Sequence, residues 1–183
     1  MNGVTEAGVP GEGGVARSWD GGKVPLFAGV VLGVVVVDYI TKLLVLRTFR
    51  PYQQVDVIGD YLRLTFIENP GAAFGIHLGP HSRIIFLLLS VVALGALGAL
   101  YWATPVADRI RLMAIALICG GALGNLVDRV RSHRGVVDFL DIGIGDLRWP
   151  IFNVADIAVT TGAILLALSL WNEERRDDRR PAP

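Results

Sequence analysis

The sequence predicts an all-α membrane protein: four transmembrane helices with a small β element on one membrane surface. Three observations lead there. Apolar residues make up 52% of the 183 residues and charged residues 19%, with a mean hydropathy of +0.52; ordinary soluble domains carry about a quarter charged residues. The apolar residues gather into four segments of 16 to 23 residues, and a helix needs about 20 to cross roughly 30 Å of hydrocarbon. One connection between segments alternates apolar and polar residues, the pattern of a half-buried strand.

The length allows one domain. Seventeen basic residues balance seventeen acidic ones, which excludes a strongly basic nucleic-acid binder and an acidic disordered chain. The single cysteine, Cys119, excludes an internal disulfide and a multi-cysteine metal site.

Residues 1–23 read as a disordered tail that is polar and rich in glycine. The first span, about 24–46, is interrupted only by Asp38 and Lys42. It lacks a short basic leader region and a small-x-small cleavage site, so it is expected to stay as an uncleaved helix. A β element is expected over about 52–67, where Tyr61–Ile67 alternates and Gln54–Ile58 can pair with it across a Gly59–Asp60 turn. The second span, about 84–102, has no charge, and the third, about 109–127, runs into Asp128 and Arg129. The fourth, about 154–171, holds Asp156 alone. Residues 24–172 form the membrane domain, and 173–183 a charged tail. Four spans put both tails on one side. Positive charge does not choose that side: Arg17, Lys23, Arg109, Arg111, Arg175, Arg176, Arg179 and Arg180 face Arg47, Arg50, Arg63, Arg83, Arg129, Arg131, Arg134 and Arg148, eight against eight.

Ionisable groups inside spans are costly and need a reason. Asp38 and Lys42 have the i,i+4 order that favours an ion pair, whether structural or beside an active site. Asn125, Asp128 and Arg129 share one face at the end of the third span, and Asn153 and Asp156 share one at the start of the fourth. Antiparallel helices joined on the non-tail side bring these ends together. Asp138 lies in the connection between two valines and a phenylalanine, an apolar setting for an acid, and could fold back onto the bundle. Asp128 beside Arg129 fits a helix-end charge pair. Asp141 and Asp146 read as turn residues. His77, His81 and His133 lack metal-ligand spacing, and Cys119 among glycines and alanines reads as a small packing residue. The pairs Gly29–Gly33 and Gly120–Gly124 read as close helix packing. No nucleophilic-serine elbow or phosphate loop is present.

Aspartates at a membrane–water boundary allow two chemistries. Two adjacent carboxyls in low dielectric share a proton, so one can activate water while the other polarises a carbonyl. Intramembrane acids also serve as proton relays, which leaves a small proton- or ion-coupled carrier as the alternative. Composition and spacing do not separate the two.

Five motifs do. Asp38-Tyr-Ile-Thr-Lys42, Asn69-Pro-Gly-Ala-Ala-Phe-Gly75, Gly120-Gly-Ala-Leu-Gly-Asn-Leu-Val-Asp-Arg129, Gly135-Val-Val-Asp-Phe139 and Phe152-Asn-Val-Ala-Asp156 occur in order on a four-span chain. Together they resemble the bacterial lipoprotein signal peptidases (signal peptidase II), from about Val24 to Trp171. The resemblance implies an intramembrane aspartic endopeptidase that cuts prolipoproteins on the amino side of a diacylglyceryl-modified cysteine. It implies Asp138 and Asp156 as the catalytic pair. Asp38, Lys42, Asn69, Gly71, Asn125, Asp128, Arg129 and Asn153 fall in the supporting polar shell. It further implies water as nucleophile with no cofactor or metal, and prolipoprotein substrates and membrane lipid as partners. No nucleic acid is expected, and nothing in the sequence requires more than a monomer. The family places both tails in the cytoplasm and the active site at the outer leaflet of the cytoplasmic (inner) membrane, which would break the charge tie. One departure stands out: Gly135 abuts Val136, where the family pattern usually has a residue between them.

Overall fold

The computed structural model describes residues 22–71 and 78–177. The tails 1–21 and 178–183 lie outside the described residues, as do 72–77, which hold His77 and the Ala72–Gly75 half of the second motif.

Four helices, α1 (Lys23–Thr48), α2 (Ser82–Ala103), α3 (Arg109–Arg131) and α4 (Val154–Asp177), are each long and apolar enough to cross a membrane. The 26 residues of α1 give about 39 Å at 1.5 Å per residue, more than the hydrocarbon thickness. The most buried helix is α3, and it packs against α1, α2 and α4, which turn mostly apolar side chains outward. Small residues allow that centre. A Cβ added at Gly120 would lie 2.8 Å from the Val34 Cβ on α1, and one at Gly124 would lie 2.6 Å from Asp38 Oδ2. A Cβ at Gly121 would overlap the Ala155 carbonyl oxygen of α4. The same spacing at Gly29–Gly33 does not pack: both positions face open space. Glycine spacing gives the face of its own helix but not whether another helix lies on it.

On the tail side two buried cations tie the helices. Lys23 Nζ donates to the Thr104 carbonyl at 2.7 Å, closing the C-terminal end of α2, where a cation opposes the negative end of the helix dipole. Arg111 joins Asp108, which caps α3, to Glu173 on α4.

On the other side lies a four-stranded antiparallel sheet: β1 (Gln54–Ile58), β2 (Leu62–Asn69), β3 (Val136–Ile144) and β4 (Leu147–Arg148), in that order. The expected β1–β2 hairpin is there, with Gly59 at φ +47° in its turn. The sheet is larger than sequence alternation foretells, because β3 is not alternating. Val136 to Phe139 are all buried, with Phe66, Val137 and Phe139 packed on Val45 of α1. A strand buried on both faces reads as an apolar run. Asp141 is accordingly not a turn residue. It lies buried within β3, where Arg148 Nε reaches its Oδ1 at 2.6 Å and the Thr65 hydroxyl donates to its Oδ2 at 2.9 Å. Asp146 does sit in the β3–β4 turn.

The sheet edge is also stitched to α4. The Phe152 carbonyl accepts from the amides of Phe139 (3.0 Å) and Leu140 (2.8 Å). This bridge sets the middle of β3 beside the first turn of α4.

Candidate active site

Asp156 is placed by a reciprocal cap. Asn153 precedes α4; its Oδ1 accepts from the Asp156 amide at 3.0 Å, while Asp156 Oδ2 accepts from the Asn153 amide at 3.1 Å. The N-x-x-D spacing is thus a capping box, in which a polar cap residue and an acid three positions on satisfy each other's orphan amides. A third amide of that helix end, from Ala155, is taken by Asp38 Oδ1 on α1 at 2.9 Å. The identical spacing at Asn125–Asp128 lies within α3 and serves differently.

Lys42 sits under this junction, 3% exposed. Its Nζ meets Asp38 Oδ2 at 2.7 Å, Asp128 Oδ2 at 2.8 Å and Asn125 Oδ1 at 2.9 Å. Three protons find three acceptors. Because an ammonium group accepts nothing, the oxygen of Asn125 must face Lys42, which turns its Nδ2 to Asp156 Oδ1 at 2.8 Å. Asp128 also accepts from the Val137 amide at 3.3 Å, joining the end of α3 to β3. It pairs with Lys42 rather than with its neighbour Arg129, so the expected Asp128–Arg129 pair gives way to one between helices. The Asp128 carboxylate turns across to α1, while Arg129, also buried, reaches the Asn125 and Gly71 carbonyls instead.

Asp138 lies on β3, 2% exposed. Asn153 Nδ2 donates to its Oδ1 at 2.7 Å and Asn69 Nδ2 to its Oδ2 at 2.9 Å. Asn69 ends β2, and its Oδ1 accepts from the Gly71 amide at 2.9 Å, fixing the turn that follows. A β-bulge between Leu64 and Ile67 sets the register that pairs Asn69 with Val136, which puts Asn69 two positions from Asp138 on one face of the sheet. Gly135, at φ +104°, lets the chain pass the Asn69 carbonyl so closely that a Cβ would overlap it. The departure before Val136 is met by this glycine. Burial raises the Asp138 carboxyl to about 7; the nearby Asp156 charge adds to the rise, and the two amide donors and Lys42 oppose it.

Arg129 completes the wall. Its guanidinium donates to the Asn125 and Gly71 carbonyls, each at 3.2 Å, and its Nε has no partner. Together Asn69, Asn125, Arg129, Asp138 and Asp156 line a cavity of about 490 Å³. Its other wall is Trp149–Phe152 from the sheet side with Ile157, Thr160 and Thr161 from α4; apart from Phe152, which opens the last motif, these residues carry no sequence signal, since an apolar connection and a lipid-facing helix stripe look ordinary. The structure brings all ten residues of the proposed pair and shell into one linked network. Among the described residues no group of three or more His, Cys, Asp or Glu side chains is arranged to hold a metal ion. Cys119 packs in the apolar core with Leu112 and Ile115.

Two carboxyls lining one cavity can divide acid and base work between them, one protonated and one ionised. Comparison with known proteins gives the family. Residues 30–172 match the family model described as Signal peptidase (SPase) II. The chain is 43% identical over 152 residues to the lipoprotein signal peptidase of Geobacter sulfurreducens, covering 82% of this chain and 94% of that one. It is 42% identical over 149 residues to that of Halothermothrix orenii, covering 81% and 97%. A solved bacterial membrane enzyme superposes with a TM-score of 0.74 at 30% identity, covering 87% of this chain and 96% of its own.

Proposed function

Since this chain belongs to the signal peptidase II family, a family of membrane proteases, we propose that it removes signal peptides from prolipoproteins by an intramembrane aspartic mechanism, cutting on the amino side of a diacylglyceryl-modified cysteine. The observation that carries this reading is the convergence of Asp138 and Asp156 on one cavity, each held by asparagine amides.

The two acids have different settings. Asp138, raised to about 7 by burial, is the proton-bearing partner. Asp156 sits in the first turn of α4, where the helix N-terminus favours an anion, and acts as base. Asp156 takes a proton from water as the water oxygen bonds to the scissile carbonyl carbon, and Asp138 gives its proton to the carbonyl oxygen. The resulting diol collapses: Asp156 delivers its proton to the cysteine nitrogen, the C–N bond breaks, and one diol hydroxyl returns a proton to Asp138. Both acids end as they began. Lys42, Asp38 and Asp128 keep Asn125 and the α4 end in place without touching the reacting atoms.

In this reading the tails are cytoplasmic, and the sheet and cavity lie at the outer leaflet of the cytoplasmic membrane. The test is incubation of the purified protein with a diacylglyceryl prolipoprotein and with the same chain unlipidated. A free signal peptide from the lipidated substrate alone supports the reading. Equal cleavage of both would remove the lipid from it, and ion flux in vesicles without cleavage would favour a carrier.

A further inference from the structure

The cavity continues down α4 past the aspartates. Asp156, Ile157, Thr160 and Thr161 line it at i, i+1, i+4 and i+5, one stripe of the helix. Because α4 runs from the sheet side towards the tail, the threonines lie about 6 Å deeper than Asp156 at 1.5 Å per residue. A hydroxyl within a helix can fold back onto the carbonyl of residue i−4. Among the described residues Thr41 bonds to the Val37 carbonyl at 2.9 Å, Thr48 to Leu44 at 2.7 Å, Ser90 to Phe86 at 2.7 Å and Thr104 to Leu100 at 2.7 Å. Among the described residues neither Thr160 nor Thr161 has such a partner, and both are exposed in the cavity wall.

A helical substrate segment has to unwind to present one carbonyl to two carboxyls, and unwinding in lipid frees backbone groups that water cannot reach. We propose that Thr160 and Thr161 bind the unwound backbone of the signal peptide on the amino side of the scissile bond, taking the place of its lost helical hydrogen bonds. This inference rests on the peptidase reading above. The two hydroxyls can both donate and accept, so they serve carbonyl and amide alike with no demand on side-chain identity.

The test is cleavage of a diacylglyceryl prolipoprotein by Thr160→Val, Thr161→Val and the double variant, with Thr160→Ser and Thr161→Ser as rescue. Valine keeps the shape and removes only the hydroxyl. At one ordinary hydrogen bond per hydroxyl, kcat/KM is expected to fall about fivefold for each valine and about twenty-fold for the pair. The serine variants are expected to retain activity, and thermal stability of the free enzyme to stay unchanged in all five, since no internal bond is lost. A dialkyl-ether substrate, which lacks the lipid ester carbonyls, is expected to show the same losses. Wild-type cleavage with an unaffected double variant would overturn the inference and leave the peptidase reading standing. Losses that vanish with the ether substrate would reassign the hydroxyls to the lipid esters and overturn the backbone role. No cleavage by the wild type would overturn both readings.

Discussion

Asn153 and Asp156 exchange two hydrogen bonds, amide to side chain in each direction, at 3.0 and 3.1 Å. A motif that would only start a helix elsewhere here fixes a carboxylate of the proposed catalytic pair and ties it to the other, because the same Asn153 reaches Asp138 Oδ1 with its Nδ2 at 2.7 Å. One side chain therefore sets the relation between an acid on a helix and an acid on a strand. Asn153→Ala is expected to lose cleavage almost completely and also to lower stability by about 1 kcal/mol or more through the missing cap. Thermal unfolding measured beside activity checks it. Full activity with a lost cap would separate the two roles of the residue.

A pH dependence follows from Asp138. Its carboxyl is raised from 3.8 to about 7 in the fold, so between these values the folded chain holds a proton that the unfolded chain has released. That group's contribution to stability is full below pH 3.8 and is lost as pH rises through about 7. Asp138→Asn should flatten this slope. Cleavage by the wild type should fall over the same upper range, as the protonated acid disappears. A rate that stays level to pH 9 would assign the proton to another group.

Lys42 pairs with two carboxylates from two helices. Lys42→Ala is expected to cost about 3–5 kcal/mol, the range for breaking a buried ion pair from one side. Asp38→Ala leaves Lys42 paired with Asp128 and should cost less. The double exchange should cost less than the sum, with a coupling of about 0.5–3 kcal/mol. Equilibrium unfolding in detergent measures all three; strict additivity would mean that the ion pair does not act as a unit.

The glycines separate packing from spacing. Gly121→Ala would drive a Cβ into the Ala155 carbonyl, which is backbone and cannot rotate away, so it should loosen α3 from α4 and lower both stability and cleavage. Gly33→Ala meets nothing within 4 Å and should be neutral or gain up to about 1 kcal/mol from helix propensity. Thermal unfolding of both variants compares them directly; equal losses would contradict the packing described.

Much of this was legible in the sequence because spans and hairpins carry their own periods. The four helices and the β1–β2 hairpin needed only hydropathy, alternation and the Gly59 turn. What was not legible depends on partners distant in sequence. Asp141 looked like a turn acid beside glycines until the pairing of β2 with β3 set Arg63 opposite it and Thr65 within reach. Asp128 looked paired with Arg129 because adjacency is visible in a sequence and the approach of Lys42 is not. Asp138 was singled out by an apolar setting that proved to be a strand buried on both faces. Thr160 and Thr161 gave no signal, since a threonine on a lipid-facing stripe matters only once a cavity is seen beside it.

The most direct test of the catalytic pair is cleavage of a diacylglyceryl prolipoprotein by Asp138→Asn, Asp156→Asn and Asp128→Asn, each with thermal unfolding of the same sample. Asparagine keeps the size and most of the hydrogen bonds while removing the ionisation. The expected result is no cleavage by Asp138→Asn or Asp156→Asn with folding and substrate binding kept, and a loss of stability together with activity in Asp128→Asn. Normal cleavage by Asp138→Asn beside a folded but inactive Asp128→Asn would contradict the account and make the pair Asp128 with Asp156.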